Sequence, residues 1–219
     1  MSPTTVGVAS RRDSARRAAA ARRRAAVRRR NRLVAVVVLV AVGLGVVLLM
    51  PLVQKTVKDE FGLPLTNADV IRQQAAEKHL DPALIAAVIY AETKFDPRSS
   101  AAGARGLMQV MPQTAVFLAH RSGATDFTVG DLATPQVNIA YGSYYLRYLL
   151  NEYHGSTTLA LAAYNGGESN VDRWVADARA GGHTLTVDDI PFPETRAYVA
   201  RVLSAEGQYR HKYAQQLYG

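Results

Sequence analysis

The sequence predicts a mainly α-helical globular domain preceded by a single transmembrane helix. Three observations carry that expectation. An unbroken apolar run of bilayer length starts at Leu33, helix start signals recur from Thr66 onward, and no segment sustains the apolar/polar alternation of strands. A chain of 219 residues has room for one such domain with additional segments beside it.

The N-terminal segments come first in the order of elements. Residues 11–32 hold eleven arginines and one aspartate, so residues 1–32 carry a net +10. The rest of the chain holds 15 Lys+Arg against 17 Asp+Glu, a net −2, and the two parts return the +8 of the whole. The basic character therefore belongs to an arm, residues 1–32, which is expected to be disordered. It gives no support to nucleic-acid binding by the main domain. Arginine runs such as Arg22–Arg24 and Arg28–Arg30 suit anionic lipid headgroups or nucleic acid, and they equally serve as a topology signal alone.

Residues 33–53 follow, a helix of roughly 31 Å if continuous, about one bilayer core. The run is longer than the apolar region of a cleaved signal peptide, and no small-residue cleavage site follows it. Arginines on its N-terminal side place residues 1–32 in the cytoplasm and the remainder outside the cytoplasmic membrane. Residues 54–65 read as a polar linker, and residues 66–219 as the domain. There is no cysteine, so an extracytoplasmic domain of this size relies on its core. The five histidines show no metal-ligand spacing, and no metal or other cofactor is expected.

Within the domain, Thr66 with Asp69 three residues on predicts a capping box for a helix through His79. Asp81 as N-cap and Pro82 at the first helical position predict a helix ending near Thr93. Pro112 opens another that stops at Gly123. Thr134-Pro135 opens the longest, with Val137, Tyr141, Tyr144, Tyr145, Tyr148 and Leu149 as its apolar stripe before Gly155. Further helices fit 157–164, 168–179, 194–206 and 208–217, and Thr184–Val187 has the composition of a short strand.

Glu92 stands apart from these patterns. It continues the helical spacing of Ile85 and Val88 or Ile89, and it sits at the helix C-terminus. Desolvation on that face and the negative end of the helix dipole both raise its pKa. A carboxyl that keeps its proton near neutral pH suits a general acid for glycosidic bond cleavage.

Three groups of residues surround this reading. Glu92 is followed by Thr93-Lys94-Phe95-Asp96-Pro97 and then by Gly106-Leu107-Met108-Gln109. Next comes Ala163-Tyr164-Asn165-Gly166-Gly167, and last Pro193-Glu194-Thr195-Arg196-Ala197-Tyr198-Val199. In these residues and their order the chain resembles the bacterial lytic transglycosylases with a soluble-lytic-transglycosylase, lysozyme-like catalytic domain, over residues 66–210.

The resemblance implies a peptidoglycan lytic transglycosylase that cleaves the β-1,4 bond between N-acetylmuramic acid and N-acetylglucosamine and leaves 1,6-anhydro-muramyl ends. It implies Glu92 as the catalytic acid and then base. Thr93 stands where the family commonly has serine and brings a hydroxyl near the carboxylate or sugar. Met108 and Gln109 line the glycan groove, the sulfur against a sugar face. Tyr164 and Asn165 face them, and Glu194 and Tyr198, one helical turn apart, complete the wall. The partners implied are peptidoglycan glycan strands and the cytoplasmic membrane. Two other readings use the same residues: a muramidase-type hydrolase on the same fold, and a non-catalytic, membrane-tethered glycan-binding module.

Overall fold

The computed structural model describes residues 62–219, so the arginine arm, the apolar run 33–53 and most of the 54–65 segment lie outside the described residues. In chain order the elements are α1 (Ala68–Lys78), α2 (Pro82–Thr93), β1 (Arg98–Ser99), β2 (Arg105–Gly106), α3 (Pro112–Ser122), a 3-10 turn (Val129–Ala133), α4 (Pro135–Glu152), α5 (Thr157–Gly166), α6 (Glu168–Ala180), α7 (Pro193–Lys212) and α8 (Ala214–Tyr218). Leu63–Gly219 make one compact unit. Among the described residues no helix is long and apolar enough to cross a membrane.

The fold is built around α2. The Asp81 carboxylate accepts the Ala83 N–H at 2.8 Å, and Pro82 takes the first helical position, as the sequence predicts. Every residue from Ala83 to Ile89 is buried. The one-sided stripe expected of this helix is therefore corrected: an all-round apolar helix is enclosed by its neighbours. It packs most extensively on α7, with α1 and α8 also against it. Each fully buried Leu, Ile or Val here contributes about 1.5–3 kcal/mol.

The end of α2 sets up everything downstream. Lys94 and Phe95 both take left-handed backbone angles (φ 53° and 64°), which stop the helix sharply. Phe95 is buried, its ring 6.1 Å from that of Tyr209 on α7, and that contact holds the unusual turn. The chain then forms the antiparallel ribbon, with Arg98 opposite Gly106 and Ser99 opposite Arg105.

Several sequence expectations change in the folded chain. The capping box at Thr66 and Asp69 does not form; Asn67 is the N-cap, in a left-handed conformation without a side-chain cap bond. The buried face of α4 is Asn138, Ile139, Gly142, Ser143, Leu146, Leu149 and Leu150, so of the expected stripe only Leu149 belongs to it. The tyrosines flank that face, half-buried, because a phenol keeps its hydroxyl where it finds a polar partner. The longest described helix is α7, which runs through Gly207 where a break between two helices is expected. Val199, Val202, Ala205 and Tyr209 stay buried across the glycine, and that burial exceeds the roughly 1 kcal/mol an interior glycine costs.

Thr184–Val187 is not a strand. The Thr186 N–H and hydroxyl both donate to Asp189 Oδ2, at 2.8 and 2.7 Å, and fold the segment into a turn instead. The last linker residues are docked: Tyr209 and Tyr213 donate to the Pro64 and Leu63 carbonyls, both at 2.6 Å. Leu63 and Leu65 pack against the core.

Candidate active site

Glu92 occupies the last turn of α2 and is half-buried. Burial pushes its carboxyl from the ordinary 4.5 up to about 7; the Tyr198 phenol and the charges of Arg201 and Arg98 pull it back, and the Glu194 charge adds to the rise. The Tyr198 hydroxyl acts on the carboxylate from α7, yet it closes no hydrogen bond of standard length and angle to any described group, although it is buried. Burial first, and the Glu92 charge second, hold the Tyr164 and Tyr198 phenols protonated. Glu194, Tyr198 and Arg201 follow at i, i+4 and i+7, so one face of α7 presents all three.

Thr93, the next residue, is 1% exposed. Its hydroxyl donates to the Leu107 carbonyl at 2.8 Å and lies 3.2 Å from the Ile89 carbonyl. The expected role beside a sugar is thus corrected: Thr93 ties the end of α2 to the Gly106–Gln109 turn, and its extra methyl is buried with it. Met108 is corrected in the same way. It is 0% exposed, and its side chain fills the space left by the missing side chain of Gly142. A Cβ on Gly142 would come within 2.7 Å of the Met108 Cβ. The sulfur packs in the core, and Met108 serves the site through its backbone.

That backbone is held from three sides. Tyr164 Oη donates to the Met108 carbonyl at 2.8 Å. Asn138 Oδ1 accepts the Met108 N–H at 2.8 Å, while its Nδ2 donates to the Arg105 carbonyl at 2.8 Å and the Leu132 carbonyl at 3.0 Å. Gly106 has φ 72°, and a side chain there would collide with the Asn138 amide and the Leu132 carbonyl. Asn138 was not singled out from the sequence. Its signal was present: an amide on a helix face otherwise made of Ile139, Gly142 and Ser143 must find backbone partners when buried.

Gln109 leaves the turn with φ 47°, half-exposed. Its Nε2 donates to the Arg98 and Gly106 carbonyls at 2.7 and 2.8 Å, fixing the amide at the mouth of a cleft of about 300 Å³. Gln109, Gln113, Thr114, Tyr145, Tyr164 and Asn165 line that cleft. Glu92 is not among the lining residues and is coupled to them through Tyr164. Asn165, in the last turn of α5, is exposed, and Glu194 is exposed in the first turn of α7. The fold therefore gathers Glu92, Gln109, Tyr164, Asn165, Glu194 and Tyr198 about one region, with Thr93 and Met108 behind it. Arg98 and Arg201 join the region without having been expected there.

A half-buried carboxyl near pH 7 at a helix end, beside a cleft of amides and phenols, belongs to a lysozyme-like helical domain. The family profile described as the Transglycosylase SLT domain matches residues 69–186, and the chain belongs to that family. It is 33% identical over 151 residues to the soluble lytic murein transglycosylase of Salmonella typhimurium, covering 68% of this chain and 23% of that protein. Membrane-bound lytic murein transglycosylase C of Cronobacter sakazakii is 31% identical over 166 residues, covering 65% of this chain and 46% of that protein. Among solved structures, an inactive glutamate-to-glutamine mutant of the lytic transglycosylase Slt from Pseudomonas aeruginosa superposes with a TM-score of 0.64 at 32% identity, over 69% of this chain and 25% of that one. The chain thus spans about a quarter of the length of the Salmonella relative.

Proposed function

We propose that the domain is a peptidoglycan lytic transglycosylase and that Glu92 is its single catalytic carboxyl. The observation that carries this is the Glu92 pKa of about 7 in a member of the SLT family. At neutral pH such a group is present both protonated and ionised, as a residue serving first as acid and then as base requires. The Pseudomonas relative, inactive when one glutamate becomes glutamine, supports an essential glutamate in this kind of domain.

In the proposed reaction Glu92 gives its proton to the glycosidic oxygen, and the bond from muramic C1 to the leaving N-acetylglucosamine oxygen breaks. The C6 hydroxyl of the same muramic acid bonds to C1 and returns its proton to the Glu92 carboxylate. The 1,6-anhydro ring closes without water, and proximity of a substrate hydroxyl stands in for a second carboxylate. Gln109 and Asn165 offer amides to hydroxyl and acetamido groups, and the Tyr164 and Tyr198 phenols remain protonated donors. Thr93 and Met108 hold the geometry from behind.

Mass spectrometry of muropeptides released by the wild type and by Glu92→Gln tests this. Products one water lighter per cut from the wild type, and none from the variant, are expected. Reducing-end products alone would establish the muramidase instead, and wall binding without cleavage the glycan-binding module. We further propose that residues 33–53 anchor the domain in the cytoplasmic membrane, with the arginine arm inside against anionic lipid and residues 66–219 outside. The length of the run, the arginines before it and a relative named membrane-bound support this placement.

A further inference from the structure

Two arginines beside Glu92 have no acidic side chain in salt-bridge contact among the described residues. Arg98, exposed on β1, is fixed at both ends: its Nη2 donates to the Glu92 carbonyl at 3.1 Å, and its own carbonyl accepts from Gln109 at 2.7 Å. Its guanidinium therefore stands at the carboxyl end of α2 with donors left over. Arg201, also exposed, lies on the same face of α7 as Tyr198, the face packed toward Glu92. Glu194 is the nearest acid on that face of α7, about 10 Å from Arg201 along the helix axis, too far to neutralise it. The charges of both guanidiniums act on the Glu92 carboxyl, Arg98 from the end of α2 and Arg201 from α7, one turn beyond Tyr198.

Amides and phenols suffice to bind the neutral parts of a glycan; paired guanidiniums with free forks match carboxylates. We propose that Arg98 and Arg201 together bind a carboxylate carried on the lactyl side chain of the muramic residue at the cleavage site, and so select acid-bearing glycan over neutral glycan. The inference rests on the proposed lytic transglycosylase reading. The carboxylate has two sources, the stem peptide or the free lactyl acid of a peptide-stripped strand.

The test uses the full chain, wild type and the variants Arg98→Gln, Arg201→Gln, the double variant and Arg98→Lys. Each is titrated for binding and turnover against stem-bearing glycan strands, amidase-stripped strands and neutral chitohexaose. Each single glutamine variant is expected to weaken binding of acid-bearing strands and raise KM about tenfold, with chitohexaose affinity unchanged. Loss with stem-bearing strands alone identifies stem-peptide carboxylates, loss with stripped strands alone identifies the free lactyl acid, and loss with both shows that the pair accepts either carboxylate. The loss should shrink in high salt, and Arg98→Lys should restore part of it. Unchanged affinity for both acid-bearing strands in the double variant, or an equal loss with chitohexaose, overturns the proposal. A wild type that binds strands but cleaves none refutes the catalytic reading while the binding comparison still decides the arginine pair.

Discussion

At the scale of single residues, the raised pKa that suits Glu92 to its proposed role carries a stability cost. Its folded pKa is raised, so the domain's stability is full below the unfolded value near 4.5 and falls as pH rises through about 7. Glu92→Gln removes that cost while keeping the side chain's shape. The variant is expected to be inactive yet more stable than wild type at pH 8, by on the order of 3 kcal/mol, and equal to it at pH 4. Thermal melts at the two pH values check this; equal melts at pH 8 would mean that the carboxyl is not desolvated. On the activity side, kcat/KM should fall about tenfold per pH unit above pH 7, as the acid form is lost. Tyr198, Arg201, Arg98 and Glu194 all bear on this titration, with burial the leading cause.

At the scale of elements, two glycines with the same chemistry should respond in opposite directions. Gly207 sits inside α7 with open space around the position of a Cβ, so Gly207→Ala should stabilise the domain by about 0.5–1 kcal/mol and leave activity intact. Gly106 has a positive φ and the Asn138 amide in place of a side chain, so Gly106→Ala should destabilise by more than that and displace the Met108–Gln109 turn. Denaturant titrations and activity assays of the pair separate the effects; a neutral Gly106→Ala would show that the Asn138 clamp is dispensable.

The same element explains what was legible in advance. Gly106, Met108 and Gln109 were recognisable as a motif, but the burial of Met108 against Gly142 depends on α4, thirty-four residues later in the chain, and local spacing carries no trace of it. Likewise Thr93 carried the right hydroxyl, and only the return of the ribbon determined that Leu107 and not a sugar would receive it.

At the scale of the whole molecule, Leu63–Gly219 form one compact unit, and the Tyr209 and Tyr213 hydroxyls hold its first residues against the end of the chain. If residues 33–53 form the proposed anchor, the full chain should sediment with membranes, resist alkaline extraction and enter solution only with detergent. Protease added outside spheroplasts should then digest residues 62–219. Release by alkali, or protection from external protease, would sink the anchor or its orientation.

The sequence alone determined the helical class, the start of α2 at Asp81-Pro82 and the placement of an acid at that helix's end, because caps, prolines and periodicity are local properties of the chain. It also determined the charge division between arm and domain. Tertiary structure decided which side chains of the motifs face the cleft and which support it from the core. It also decided that Asn138 would hold the turn and that the charges of Arg98 and Arg201 would act on Glu92. Those outcomes depend on α4, α7 and the ribbon meeting at the end of α2, and contacts between segments so distant in sequence exist only once the enclosed helix has gathered its neighbours around it.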